Sequence, residues 1–290
     1  MAMVLSKQTK RAVIGRRQKL TPYLLVLPAF LVVIGLIVYP VLTAVNLSLH
    51  SGSATRLTGA NYRYFLTDPV QLKNIGYTLF VAVMTVVLAL LIGLLLALYI
   101  RFNQNRLSRL VMALTILPQF IPGLVAVYSM MLVVRNGGTL SRLAQAAEHT
   151  FNPNLMYSAK GLIMVNLWFN IPFAALLLAS LTSIQEASIE SARDVGANRW
   201  QLLQKIILPA TYKQFFIAGT FIFMGNVGSF TTPFLMGGNT PQMLSVVLYK
   251  EFNQYLDYNR AAALSVILFA LCSLSAIVYV IVNMRREKWR

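Results

Sequence analysis

The chain has 290 residues, 57% of them hydrophobic and 11% charged, with a formal net charge of +17. Soluble domains carry about a quarter of their residues as charges, so a water-soluble globule is excluded. The positive charge would suit a nucleic acid only if it lined one face of a soluble fold. Here the bases cluster between long apolar blocks, so no nucleic-acid partner is expected and the lipid bilayer is.

In chain order, a basic segment, 1–21, precedes six blocks that contain no Asp, Glu, Lys or Arg: 22–49, 75–100, 110–134, 162–184, 215–236 and 261–284. Each is long enough for a helix to cross the hydrocarbon, which takes roughly 20 residues. The first block is longer than the core of a cleaved signal peptide, so it reads as a retained span. The expected fold is therefore an all-α integral membrane protein with six transmembrane helices across 22–284, followed by a short tail, 285–290. Seventeen of the 25 Lys and Arg fall in the N-terminal segment, the loops 101–109 and 185–214, and the tail, against eight in the other three loops. That excess places the first set, and both termini, in the cytoplasm.

The third block carries Pro118, Gln119 and Pro122, the fourth Asn166, Asn170 and Pro172, and the fifth Asn226, Ser229, Thr232 and Pro233. Polar groups in lipid must find partners in the bundle or in water. Gln119, Asn166, Asn170, Asn226, Ser229 and Thr232 are therefore candidates for a substrate pathway, with helix–helix packing as the alternative. Asn226, Ser229 and Thr232 are spaced three apart, which places them on one helical face. Pro233 is expected to free the Ser229 carbonyl, and Gly225 and Gly228 to admit a neighbouring helix. Between the last two blocks, 241–260 shows helical spacing at Leu244, Val247, Leu248, Phe252, Tyr255 and Leu256, and reads as a helix lying on the outer surface or dipping back into the protein, with plain packing on the bundle as the alternative.

Other chemistries find no support. The lone Cys272 lies in an apolar block, His50 and His149 are far apart and give no metal-ligand spacing, and no phosphate loop of the form G-x-x-x-x-G-K-[ST] occurs. No cofactor or metal is expected on this chain. The spans hold no acids, which argues against a proton-coupled carrier.

Three of the eight acids, Glu186, Glu190 and Asp194, sit together in the loop 185–214. Two short helical faces flank Gly196: Ile184, Ala187, Ile189, Ala192 and Val195, then Trp200, Leu203, Ile206 and Ile207. Glycine suits a helix end, and Asn198 suits the N-cap of a second helix running to Leu208, after which Pro209 bends the chain into the fifth span. The pattern Glu190-Ser191-Ala192, three residues, Gly196, nine residues, Ile206-x-Leu208-Pro209 resembles the "EAA" signature of permease subunits of bacterial ABC importers. Ser191 stands where that signature usually has Ala. The resemblance implies the type I importer permease fold and a coupling helix that docks on a separate cytoplasmic ATPase. In that family's terms Glu190 faces the ATPase groove and Gly196 sets the turn. Arg193, Asp194 and Arg199 fix the register by charge, while Ala192, Ala197, Ile206, Leu208 and Pro209 complete the signature. It further implies two ATP-binding subunits carrying ATP and Mg, a second permease subunit (a paralogue or the same chain), an extracytoplasmic solute-binding protein, and no catalysis by this chain. The run Arg193-Asp194-Val195-Gly196-Ala197 and the stretch from Gly228 to Leu244 resemble the branch serving spermidine and putrescine, ferric iron and similar small charged solutes. The alternatives are a sugar-type permease, or a carrier or channel not driven by ATP.

Overall fold

The structure is a computed structural model that describes residues 23, 25–51, 56–103, 105–179 and 186–284. The basic segment 1–21, the tail 285–290 and Ile184 of the expected loop face lie outside the described residues. Every regular element among the described residues is helical. Six helical segments are long and apolar enough to cross a membrane: Leu25–Ser48, Pro69–Phe102, Gly123–Ala146, Ala159–Leu178, Arg199–Val227 and Tyr258–Met284. We label the helices α1 (Leu25–Ser48), α2 (Ala60–Thr67), α3 (Pro69–Phe102), α4 (Arg106–Ile116), α5 (Gly123–Val134), α6 (Thr139–Ala146) and α7 (Ala159–Leu178). After them come α8 (Glu186–Asp194), α9 (Arg199–Val227), α10 (Thr231–Met236), α11 (Leu244–Asn253) and α12 (Tyr258–Met284).

The third crossing departs from its expected form. The block 110–134 is built as α4, a 3-10 turn at Leu117–Phe120 and then α5, because Pro118 and Pro122 interrupt the helical bonding. The apolar segment Gly123–Ala146 is broken in turn at Arg135, whose backbone is extended, and at Gly137 with φ +71°. Arg135 and Arg142 make the stretch beyond Val134 costly in hydrocarbon, so the crossing is α4 with α5, and α6 lies past its end.

α3 is the axis of the bundle. Asp68 caps it by accepting from the Val70 and Gln71 amides, with Pro69 in the first turn where its missing N–H costs nothing. Its 34 residues span roughly 50 Å at 1.5 Å per residue, more than the hydrocarbon needs. One face of it is a buried stripe at Thr78, Ala82, Thr85, Ala89, Gly93 and Ala97, spaced by three or four residues. α7 and α9 pack on that stripe. The approach is closest at Gly93, where an added Cβ would lie 2.7 Å from the Ala174 Cβ and 3.1 Å from the Ala175 amide nitrogen. Lipid tails give helices no hydrophobic reason to associate, so this close van der Waals contact is what holds them. α12 packs against α1 and α9; beyond its buried first turns, Phe269, Leu274, Ile277, Val280 and Ile281 face outward, as a lipid-facing side requires.

At the end where α3 begins, which we call the far end, α2 and α11 fold over the bundle around Phe65, Leu244, Val247, Ala263 and Leu264. The outer helix is shorter than the stretch 241–260, because the chain turns at Gln254–Asp257 before α12 starts. Its N-terminus has no cap of its own. α3 supplies one: the Gln242 amide donates to Asn74 Oδ1 (2.8 Å) and the Leu244 amide to Thr78 Oγ1 (2.9 Å).

Gly93→Ala is expected to destabilise the protein by about 1–3 kcal/mol by overpacking the α3–α7 contact. Gly225→Ala, where nothing lies within 4 Å, serves as the control and should be neutral or slightly stabilising. Unfolding of the two purified variants in detergent, followed by circular dichroism, measures the difference.

Candidate functional site

The site begins with α8 and the turn after it. α8 is amphipathic, with Ile189 buried and Glu190, Arg193 and Asp194 exposed. Gly196 ends it with φ +82°. There the Gly196 amide donates to the Arg193 carbonyl and the Ala197 amide to the Ala192 carbonyl, both at 2.9 Å. This paired closure satisfies two carbonyls that a helix end leaves open, and it needs a residue tolerant of positive φ. Asn198 then starts α9 with a reciprocal cap. Its side chain accepts from the Gln201 amide (2.8 Å), and the Gln201 side chain accepts from the Asn198 amide (2.9 Å). The expected stop at Gly196 and start at Asn198 are both found.

The second helix does not end at Leu208, and Pro209 does not begin a separate span. Pro209 has no N–H to give to the Lys205 carbonyl. The chain accommodates this with a π-helical turn at Leu203–Ile207, in which the Leu208 amide reaches back to the Leu203 carbonyl. α9 therefore runs unbroken from the turn to Val227. Ile207 and Leu202 are buried, Ile206 and Leu208 are half-buried, and Pro209 is exposed. Ala192 and Ala197 are also half-buried.

Two anchors tie the element to the bundle. Ile207 packs with Ala97 of α3 and Leu178 of α7. The Arg193 guanidinium lies 5.9 Å from the centroid of the Phe102 ring at the end of α3, within cation–π range. Between them opens a cavity of about 940 Å³ lined by Phe102, Ile189, Glu190, Arg193, Trp200 and Ile207 among others. The tip of the element stays bare, with Val195 85% and Trp200 63% exposed.

The intramembrane candidates separate into two groups. Gln119, Asn166 and Asn170 are brought together around one turn of α7. The Gln119 side-chain amide donates to the Phe169 carbonyl (3.1 Å), and that of Asn170 to the Asn166 carbonyl (2.7 Å). Pro172 lies inside α7 and disturbs the turn before it, so Gln119 bonds the backbone where the helix is weakest. The Asn166 side-chain nitrogen is buried without a partner, and so is the Thr85 hydroxyl. Counting back eight residues from the Gly93–Ala174 contact on each of these two parallel helices arrives at those two residues.

Asn226, Ser229 and Thr232 do not share one helical face. α9 ends at Val227, the chain is non-helical from Gly228 to Phe230, and Thr232 belongs to α10. Pro233 falls in the first turn of α10, where its missing N–H is harmless, and it does not free the Ser229 carbonyl. That carbonyl accepts from the Ser245 hydroxyl of α11 instead. Asn226 is buried and donates to the Ile222 carbonyl of its own helix (2.7 Å), Thr232 is buried, and Ser229 is half-buried. No helix approaches closely at Gly225 or Gly228; the close contact is at Gly93. Asn74 and Thr78, which cap α11, were not among the candidates from sequence. Their signal was the polar spacing Gln71, Asn74, Thr78 on one face of an otherwise apolar helix.

A bundle of lipid-facing helices with buried polar turns and an exposed helix–turn–helix at one end is the architecture of a multi-pass membrane protein. Residues 89–288 match the family of binding-protein-dependent transport system inner membrane components, and the chain belongs to it. It is an ABC importer permease of the inner membrane with the type I fold. The chain is 26% identical over 274 residues to the inner membrane ABC transporter permease protein YcjO of Escherichia coli, covering 89% of this chain and 92% of that one. It is 23% identical over 216 residues to the spermidine/putrescine transport system permease protein PotB of Escherichia coli, covering 74% and 78%. With the thiamine transport system permease protein ThiP of Haemophilus influenzae it shares 27% identity over 214 residues, 73% of this chain but only 39% of that protein's length. Among solved structures, a bacterial alginate ABC transporter, in complex with an alginate pentasaccharide-bound periplasmic protein, superposes with a TM-score of 0.78 at 17% identity, covering 92% and 94%.

Asn198→Ala is expected to cost about 1 kcal/mol of local stability. Hydrogen exchange at residues 199–202 should accelerate about fivefold, while exchange in α3 and α7 stays unchanged.

Proposed function

We propose that this chain forms one half of the pathway of an ATP-driven importer and gates it through α8 and the turn at Gly196. The observation that carries this reading is mechanical. An exposed short helix is joined, by a turn whose amides are all hydrogen-bonded, to a 29-residue helix that enters the membrane. A push on Glu190, Val195 or Trp200 is then delivered to the bundle through α9. Exposed apolar side chains beside a carboxylate suit a protein partner, and the partner proposed is a separate ATPase that binds ATP and Mg. A second permease subunit completes the pathway, an extracytoplasmic binding protein delivers solute at the far end, and both termini lie in the cytoplasm. The favoured cargo is a small charged solute such as a polyamine or iron. The Arg193–Ala197 wording and the similarity to PotB support it. Gln119, Asn166 and Asn170 are proposed to line the pathway at the weakened turn of α7, and Asn226, Ser229 and Thr232 to act at the helix break.

Glu190→Lys and Gly196→Val should leave the protein inserted and folded but abolish solute-stimulated ATP hydrolysis by the reconstituted transporter. The first reverses a charge at the docking face. The second places a β-branched residue in the left-handed region at a cost of about 1–2 kcal/mol. Wild-type stimulation in both would show that this loop does not couple the two activities. For orientation, reporter fusions after Arg63 and after Asp257 should read as external; a cytoplasmic signal from either contradicts the proposed topology.

A further inference from the structure

α11 and the start of α3 enclose a cavity of about 340 Å³ at the far end, with Tyr64, Gln71, Asn74, Lys250, Glu251 and Arg260 in its wall. Glu251 is only 3% exposed, and its Oε2 has no hydrogen-bond partner. Buried carboxylates are ordinarily paired or hydrogen-bonded. The neighbouring polar groups are bonded to one another. Gln71 Nε2 donates to the Tyr64 hydroxyl (3.1 Å), Asn74 Nδ2 donates to Gln71 Oε1 (3.2 Å), and Asn74 Oδ1 accepts from the Gln242 amide (2.8 Å). None of these donors reaches Glu251 Oε2.

The charges around Glu251 compensate it only in part. Arg260 is held by Asp257, with Nε 3.4 Å from Oδ2, and its guanidinium lies 4.3 Å from the centroid of the Tyr64 ring. Burial pushes the Glu251 carboxyl up; Arg260 pulls it down and Asp257 pushes it up, so the two neighbouring charges oppose each other. Lys250 reaches the same cavity but is not among the charges acting on Glu251.

We propose that this cavity binds a small organic monocation whose ammonium group donates to Glu251. An ammonium brings the charged donor that Glu251 Oε2 lacks, and it needs no acceptor from its surroundings other than the carboxylate and amide oxygens present. The volume is near the lower end for small-molecule sites. Lys250 in the same wall disfavours a ligand with a second positive charge. A cation lowers the carboxyl's proton affinity, whereas the empty site holds the proton above the ordinary glutamate range. Binding therefore releases a proton, and affinity rises with pH until Glu251 of the empty site is ionised.

The test is calorimetric titration of the full chain in lipid nanodiscs with n-butylammonium, using butyrate, n-butanol and 1,4-butanediammonium as comparisons. The expected result is saturable binding of n-butylammonium alone or preferentially, tightening by up to about tenfold per pH unit while the carboxyl titrates. Glu251→Gln should weaken it at least about tenfold and flatten the pH dependence, and Lys250→Met should admit 1,4-butanediammonium. The proposal is overturned if butyrate or butanol binds equally well, if Glu251→Gln leaves affinity and pH dependence unchanged, if Lys250→Met still excludes 1,4-butanediammonium, or if no ligand saturates. None of these readings requires an ATPase, so they stand apart from the test of coupling.

Discussion

The contact of Gly93 with Ala174 and Ala175 sets the geometry of the rest. Apolar side chains find lipid as congenial as one another, so helices stay together only where their surfaces fit closely. A glycine on α3 lets the α7 backbone come within direct contact, and the small residues above and below it, Ala89 and Ala97, continue the fit. The register so fixed has consequences in both directions. Toward the far end the same two helices carry Thr85 and Asn166, whose hydroxyl and side-chain nitrogen are buried without partners, near the turn that Pro172 weakens. Toward the other end it sets Ala97 beside Leu178, and Ile207 of α9 rests on that pair.

α9 carries this arrangement from one end of the bundle to the other. At its start, the Gly196 closure and the Asn198–Gln201 cap leave little freedom between α8 and α9. A π-turn then passes Pro209 without ending the helix. At the other end α9 stops at Val227, and the Ser229 carbonyl is taken by Ser245 of α11. Phe230 and Phe234 stack at 4.8 Å and both meet Tyr249 of the same helix, at 5.1 and 5.3 Å. α11 is in turn capped by Asn74 and Thr78 of α3. Displacement of α8 thus has a continuous path of helix, hydrogen bonds and ring contacts to the far end.

What could be read from the sequence was whatever is decided locally or by composition. Blocks without charge announce spans, and Gly196 and Asn198 announce a helix end and start because backbone strain and capping involve only adjacent residues. What could not be read depends on distant partners. Pro209 looked like a boundary, but a wider helical turn absorbs it. Pro233 looked like the cause of a break that occurs earlier, at Gly228–Phe230, where α11 provides the bond that replaces the helical one. The third block reads as one span from its apolar length, and Pro118 and Pro122 are the local sign that it is built in two pieces. Glu251 was not among the candidates from sequence. Its spacing of seven and four residues from Leu244 and Val247 puts it on the buried face, which is the sign that was available.

The central claim is that the exposed face of α8 contacts a separate nucleotide-hydrolysing chain. The most direct measurement places a photo-crosslinking amino acid at position 190 and, in a second variant, at 255 on the far end. Both are irradiated in native membranes and the captured proteins are identified by mass spectrometry. Position 190 is expected to capture an ATP-binding protein and position 255 is not. Capture of that ATPase from 255, with only lipid captured from 190, would contradict the claim.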